Sequence, residues 1–298
     1  INIDITIFKL LSFAYFIGKV YNREKALEDK YMAKIITFGN FKGGTGKTTN
    51  STMIAKTLSD KGYKTLLIDM DPQGNATNLY LKTKNYLSEE LIVFEKTLMS
   101  AIKDEDLSSA LINIKENLDV LPSSVDFALF PRFMEHMPDY AERVRYFSEL
   151  LVPLKEKYDY IIIDIPPTIS LITDCALYAS DYCVIVMQTH ERSLQGAEAF
   201  LVYIQDEVID RFHAPTLDVL GILPVLLKNG APVDIQTLEA ALEIFGENNI
   251  FANTIRNMER LKRYDITGIT DEDMHDKKVT DVYSKLTDEI INKVGEVC

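Results

Sequence analysis

The chain has 298 residues, 47% hydrophobic and 26% charged, with 45 acidic against 32 basic side chains and a net charge of −13. This is enough chain to bury a full α/β core, and the composition is that of a soluble globular protein. So acidic a surface excludes nucleic-acid binding over the whole protein, and no apolar run reaches the ~20 residues that would span a bilayer.

Segment 1–31 reads as one helix, apolar over much of its surface and charged beyond Arg23. Packing on the body or on a second subunit is the expected role. Membrane-surface attachment is the alternative, opposed by the mixed signs of Arg23, Glu24, Lys25, Glu28, Asp29 and Lys30. Stretch 5–18 lacks a basic leader and a small-residue cleavage site, so no secretory signal is expected. Met32-Ala33-Lys34 stands just ahead of the first strand. The expected organisation is therefore an N-terminal extension over 1–31 and one domain over 32–298.

From residue 33 strands and helices alternate, the pattern of a doubly wound, mostly parallel sheet flanked by helices. Strands are predicted at 34–39, 64–69, 118–121, 160–164, 182–187 and 219–225, with a short one near 249–252, about seven in all. The helix from Thr48 ends near Asp60-Lys61-Gly62, with Gly62 as its cap. Stretch 85–117 reads as irregular helix in which Asp104-Glu105-Asp106 is a solvated helix start. Segment 126–157 reads as helix broken around Pro131 and Pro138. The final helix, 279–297, carries Val279, Val282, Tyr283, Leu286, Ile290, Ile291 and Val294 at helical spacing.

Three segments carry chemistry. Lys42-Gly43-Gly44-Thr45-Gly46-Lys47-Thr48-Thr49 lies between the first strand and its helix. A glycine-rich turn there lets backbone N–H groups converge on phosphate at a helix N-terminus. In that reading Gly43, Gly44, Thr45, Gly46, Lys47, Thr48 and Thr49 form the cradle, Lys47 neutralises phosphate oxygens, and the Thr48 hydroxyl joins Mg²⁺. The ordinary loop pattern places a glycine at position 41, where this chain has Phe, and adds Lys42. The second segment, Asp69-Met70-Asp71-Pro72-Gln73-Gly74-Asn75-Ala76-Thr77, ends a strand in two aspartates facing one side. Alone, it reads equally as an acidic strand–loop junction. The third, Tyr160-Ile161-Ile162-Ile163-Asp164-Ile165-Pro166-Pro167, is a buried strand delivering a carboxylate toward a metal.

The Lys-Gly-Gly-x-Gly-Lys-Thr loop, the Asp-x-Asp-Pro-Gln-Gly-Asn-Ala-Thr element and the Asp-x-Pro-Pro strand end together resemble the ParA/MinD class of ATPases with a deviant Walker A loop, over about residues 33–295. The resemblance implies a P-loop fold, ATP and Mg²⁺ as cofactors, and a homodimer with ATP sandwiched at its interface. It further implies that Lys42 reaches the partner's phosphates, that Asp71 orients the attacking water, and that Asp69 and Asp164 support Mg²⁺ beside Thr48. A second phosphate contact in cis is the alternative for Lys42. Leu227-Lys228-Asn229-Gly230 stands where the family holds the adenine, so Asn229 reads the adenine edge or is simply a turn residue.

The same resemblance implies non-specific DNA binding through basic residues in the C-terminal half. Arg256, Arg260, Lys262 and Arg263 are the candidates, with Lys277 and Lys278 adding to the patch; a solvated basic helix face is the alternative. The segment before the core is too short for an operator-binding domain. The chain is therefore similar to the small, non-repressor partition ATPases, among them the delta-type segregation ATPase of Gram-positive plasmids. A centromere-binding, ParB-like partner, a cytoplasmic and nucleoid-associated location and no membrane contact are implied. A MinD-like membrane-positioning ATPase is the competing reading, opposed by the mixed signs on the last helix. Three cysteines (Cys175, Cys183, Cys298) fit no metal pattern, the first two reading as buried thiols, and the four histidines are scattered.

Overall fold

The structure is a computed structural model that describes residues 32–88, 94–227 and 231–297. The expected extension over 1–31 and Asn229 lie outside the described residues. Eight strands form one sheet: β1 (Lys34–Gly39), β2 (Thr65–Asp69), β3 (Ile112–Lys115), β4 (Leu118–Leu121), β5 (Tyr160–Asp164), β6 (Tyr182–Gln188), β7 (Asp218–Leu227) and β8 (Ile255–Arg256). Their order is β3-β4-β2-β5-β1-β6-β7-β8, and all pairs are parallel except β3 with β4.

β2 and β5 are buried at every position, and β1 and β6 at all but one end residue, because alternate residues enter two different layers. Ile161 and Ile163 of β5 face one layer and Ile162 the other; Cys183, Ile185 and Met187 of β6 likewise alternate with Val184 and Val186. On the second layer lie helices α1 (Lys47–Asp60), α2 (Asn75–Ser88), α8 (Glu259–Thr267) and α9 (Met274–Val297). The first layer holds α3 (Leu98–Lys103), α4 (Tyr140–Leu150), α5 (Leu171–Ala179), α6 (Glu191–Tyr203) and α7 (Pro232–Phe245). Beyond Tyr203, α6 runs on as a π-helical stretch, Ile204–Arg211.

The predicted strands are present, with two differences at the edges. β3 is absent from the sequence reading; it is a four-residue hairpin partner of β4, and Asn117 makes the turn at φ 60°. So short an edge element leaves little periodicity to read. The strand expected near 249–252 is reduced to one bridge, Ile222 to Ile250, and β8 forms later. Asp106 starts a 3₁₀ turn rather than an α-helix, accepting from the Ser108 amide at 3.0 Å. The breaks at Pro131 and Pro138 hold: Pro131 opens a one-turn helix, Phe130–Phe133, and α4 begins after Asp139. Gly62, at φ 92°, follows the cap residue Lys61 of α1.

β1 sits between β5 and β6. The chain leaves β1 into α1 on one layer and leaves β6 into α6 on the other, so a crevice opens at their carboxyl ends. Gly39 closes β1 there, and a Cβ at that position would collide with the Phe200 ring of α6. Replacing Gly39 by Ala is expected to destabilise the fold by about 1–3 kcal/mol in urea unfolding, because the ring is enclosed on all sides. An unchanged midpoint would show that α6 gives way freely.

Candidate nucleotide site

The phosphate loop occupies that crevice. Gly44 and Gly46 hold φ 72° and 84°, a left-handed backbone that only glycine adopts without strain, and Gly46 is the cap residue of α1. The α1 amides beyond Gly46 have no side-chain cap, which leaves them directed at an anion. Gly43 and Gly44 are exposed, Thr45 is buried, and Thr48 and Thr49 stand half-buried in the first turn. Beside Thr48 and Thr49 a cleft of about 580 Å³ opens, lined also by Asn75, Asn78, Lys82 and Tyr264.

Lys47 is buried, and its ammonium donates to the Lys42 carbonyl at 3.1 Å. Burial pushes its pKa down, and the carboxylates of Asp164 and Asp71 oppose that shift. Phosphate is the natural acceptor for such a cation, since an ammonium held out of water needs a full negative charge to balance it.

Two carboxylates stand opposite each other on neighbouring strands, Asp69 of β2 in register with Asp164 of β5, both fully buried. Asp69 is fully engaged. Oδ1 accepts from the Asp71 amide at 3.1 Å, and Oδ2 accepts from the Thr77 amide at 2.8 Å and hydroxyl at 2.7 Å. It thereby fixes the loop that carries Asp71 and the start of α2. Asp164 differs. Its Oδ1 accepts from the Ser51 hydroxyl at 3.1 Å, and its Oδ2 is buried without a hydrogen-bond partner. Burial pushes both pKa values up, and repulsion between the two adds to the shift at Asp164. A buried carboxylate oxygen with no donor, beside the Thr48 hydroxyl at a phosphate cradle, suits a hard divalent cation and its water shell. Asp71 is half-buried, and its Oδ1 accepts from the Gln73 amide at 2.9 Å.

Lys42 lies at the rim. Its amide donates to Asn40 Oδ1 at 2.9 Å, and its ammonium stands 2.7 Å from His190 Nε2. The Gln188 amide nitrogen at the end of β6 donates to the Gly44 carbonyl at 2.6 Å. Phe41, where an ordinary loop has glycine, packs edge-on against Phe200 (4.8 Å) and Tyr203 (5.2 Å). Asn40, Phe41, Gln188 and His190 are site residues the sequence reading missed. Only the Phe-for-Gly exchange left a visible trace.

The basic patch divides. Arg256 is exposed at the end of β8, and Lys262 and Arg263 are exposed on α8, Lys262 pairing with Glu259 at 2.8 Å. Arg260 is turned inward, bonded to Asp273 and 3.4 Å from the fully buried Asp276. A second cleft of about 420 Å³, between α8 and α9, is lined by Asn257, Arg263, His275 and Lys278. Among the described residues no cluster of metal-ligating side chains stands elsewhere, no helix is long and apolar enough to cross a membrane, and Cys175 and Cys183 are buried free thiols.

The carboxylate pair makes a stability prediction. Folding raises both pKa values, so the favourable contribution is complete below the ordinary carboxylate range near 3.8 and is lost as pH rises above it. Nucleotide-free protein should lose stability to this pair at up to ~1.4 kcal/mol per pH unit for each group. Asp164→Asn should flatten that slope in denaturant midpoints taken from about pH 4 to pH 8. Parallel curves would show that the pair is not strained.

The AAA domain family model matches residues 33–218. The sporulation initiation inhibitor protein Soj of Bacillus subtilis is 32% identical over 233 residues, 77% of this chain and 87% of Soj. The chromosome partitioning protein ParA of Myxococcus xanthus is 32% identical, covering 70% of each chain. Among solved structures, the ATP complex of a single-residue variant of Cyanothece McdA superposes with a TM-score of 0.73 at 22% identity, covering 89% of this chain and 97% of McdA. The phosphate loop, the carboxylate strands and these likenesses converge: the chain belongs to the AAA-domain family and, within it, to the Soj/ParA group of partition ATPases.

Proposed function

We propose that the protein is a dimerisation timer for DNA partition. It binds ATP with Mg²⁺, pairs with a second copy so that two ATPs lie sandwiched between them, and holds DNA non-specifically in that state. Hydrolysis, stimulated by a centromere-binding, ParB-like partner, returns it to the monomer. The cargo is a plasmid or chromosome, and the location cytoplasmic and nucleoid-associated.

The observation that carries this reading is the pair of lysines at one cradle. Lys47 is buried inside it and Lys42 is half-buried at its rim. With the inner lysine assigned to its own nucleotide, the half-buried rim lysine is assigned to a partner's. A cation supplied in trans ties transition-state charge to pairing, since phosphoryl transfer is catalysed by positioning and positive charge. The amides of Gly43, Gly44, Thr45, Gly46 and Thr49 hold the phosphates, and Lys47 covers their oxygens. Thr48 and Asp164 hold the metal, and Asp69 keeps Asp71 aimed at the attacking water. Mg²⁺, when bound, neutralises the β- and γ-phosphate oxygens. Asn229 is assigned to the adenine edge.

For DNA, exposure favours Arg256, Lys262 and Arg263, with Lys278 across the second cleft. Arg260 serves as the strut that joins α8 to α9. The MinD-like alternative loses support at α9, where Val279, Tyr283, Leu286, Ile290 and Val294 are buried in the core.

Three outcomes are expected. Lys42→Ala abolishes ATP-dependent pairing in analytical ultracentrifugation and steady-state turnover, yet binds ATP as a monomer; hydrolysis equal to wild type defeats the reading. Asp71→Ala retains ATP and a persistent dimer, and failure to bind ATP makes Asp71 structural instead. Gel shifts with non-specific DNA require ATP rather than ADP, weaken with salt, and weaken further in Arg256→Ala/Arg263→Ala, with retained binding removing this face from the interface.

A further inference from the structure

We propose that Tyr283 is a positioning residue for nucleotide binding: through Asn50 it holds the Gly46 carbonyl and so keeps the Lys47 amide aimed at phosphate. This rests on the phosphate cradle assigned to residues 43–49.

The need arises at Gly46. Glycine supplies the φ of 84° that turns the chain into α1, and the same freedom lets the peptide unit after it turn over easily. That unit joins the Gly46 carbonyl to the Lys47 amide. It is planar and trans, so the two groups point in opposite directions. With the carbonyl directed into α1, the Lys47 N–H is directed out of the helix, toward the crevice. Turned over, the unit would put an oxygen where an anion has to sit.

Two bonds hold the carbonyl down. The Gly46 oxygen accepts from the Asn50 main-chain amide at 3.0 Å, the ordinary helical bond. It also accepts from Asn50 Nδ2 at 2.8 Å. That second contact fixes which way round the side-chain amide lies, since turning it over would set oxygen against oxygen. The other end of the amide then needs a donor. Asn50 is buried, and its Oδ1 accepts from the Tyr283 hydroxyl at 3.0 Å. Without that hydroxyl, Oδ1 would be a buried acceptor left unmade, and the side chain would gain by leaving Gly46 for another donor.

The hydroxyl comes from a firm support. Tyr283 is fully buried on α9, 233 residues along the chain from Asn50. Its neighbours Leu286 and Ile290 pack in the same layer as Met53, Ile54 and Leu58 of α1. Beyond the end of α1, Lys61 donates to Ser284 at 2.9 Å and pairs with Asp288 at 2.8 Å. The two helices are thus joined near both ends of α1, and the relay Tyr283–Asn50–Gly46 carries that registry to the phosphate loop.

The test measures ADP·Mg²⁺ affinity of the whole protein by isothermal titration calorimetry, which needs neither pairing nor turnover. Tyr283→Phe keeps the ring in the core and removes the hydroxyl. It should weaken ADP binding about three- to tenfold, the worth of one hydrogen bond. Asn50→Ala should weaken it at least as much, and Tyr283→Phe should add nothing in that background, because the two act in series. Asn50→Thr should recover most of the loss, since a threonine hydroxyl can donate to the carbonyl four residues back without help from α9. Ile290→Val removes one buried methyl from α9 at a comparable cost in stability, and should bind ADP as wild type does. Unchanged affinity in Tyr283→Phe or in Asn50→Ala overturns the proposal. So does a Tyr283→Phe effect of full size in the Asn50→Ala background, or a threonine variant as weak as alanine. An equal loss in Ile290→Val makes general loosening of α9 the cause and overturns it too. A wild type that does not bind ADP·Mg²⁺ overturns the cradle itself.

Discussion

Asp69 and Asp164 lie side by side on adjacent parallel strands, out of water, and the site is arranged around the problem they create. Two buried carboxylates repel each other and lack solvation, so each needs donors or a cation. The chain answers differently at each. Asp69 is saturated by the Asp71 amide and by Thr77, which fixes the loop after β2. Asp164 keeps a bare oxygen facing the threonine end of the phosphate loop. One carboxylate builds the scaffold, and the other keeps a buried oxygen without a hydrogen-bond partner. Parallel pairing makes this division available, because register sets both strand ends at one level beside β1.

Across β1 the chemistry is of another kind. The β6 side offers neutral groups: Gln188 on the Gly44 carbonyl, Asn40 bridging the Val186 carbonyl and the Lys42 amide, and His190 on the lysine itself. The cradle therefore has an anionic wall on the β2–β5 side and a neutral wall on the β6 side. An acidic residue at 190 would hold Lys42 by full charge.

Much of this is legible in the sequence because it is local. A buried strand ending in a glycine turn, two aspartates at i and i+2, and four apolar residues followed by Asp each specify backbone and chemistry within ten residues. The doubly wound sheet follows from their alternation. What stays hidden depends on contacts between distant segments. Arg260 reads as an exposed cation until α9 brings Asp276 against it, and His190 reads as one of four scattered histidines until β6 lies beside β1. The β3 edge is hidden for the opposite reason: four residues are too few to show a period.

Phe41 stiffens the entry of the phosphate loop. Ordinary phosphate loops begin with glycine at this position, which leaves the entry of the loop free to adjust. Here a phenylalanine is wedged between Phe200 and Tyr203, and the Tyr203 hydroxyl is itself bonded to the buried Asp174, which also accepts from Tyr140 at 2.6 Å. Asn40 fixes the backbone on one side of Phe41 and Gln188 fixes Gly44 beyond it. A backbone held at 40, 41 and 44 has little room to swing, so the freedom left at this rim lies in the four rotatable side-chain bonds of Lys42. The loop is thus shaped for phosphate by contacts within one chain, before any ligand supplies binding energy.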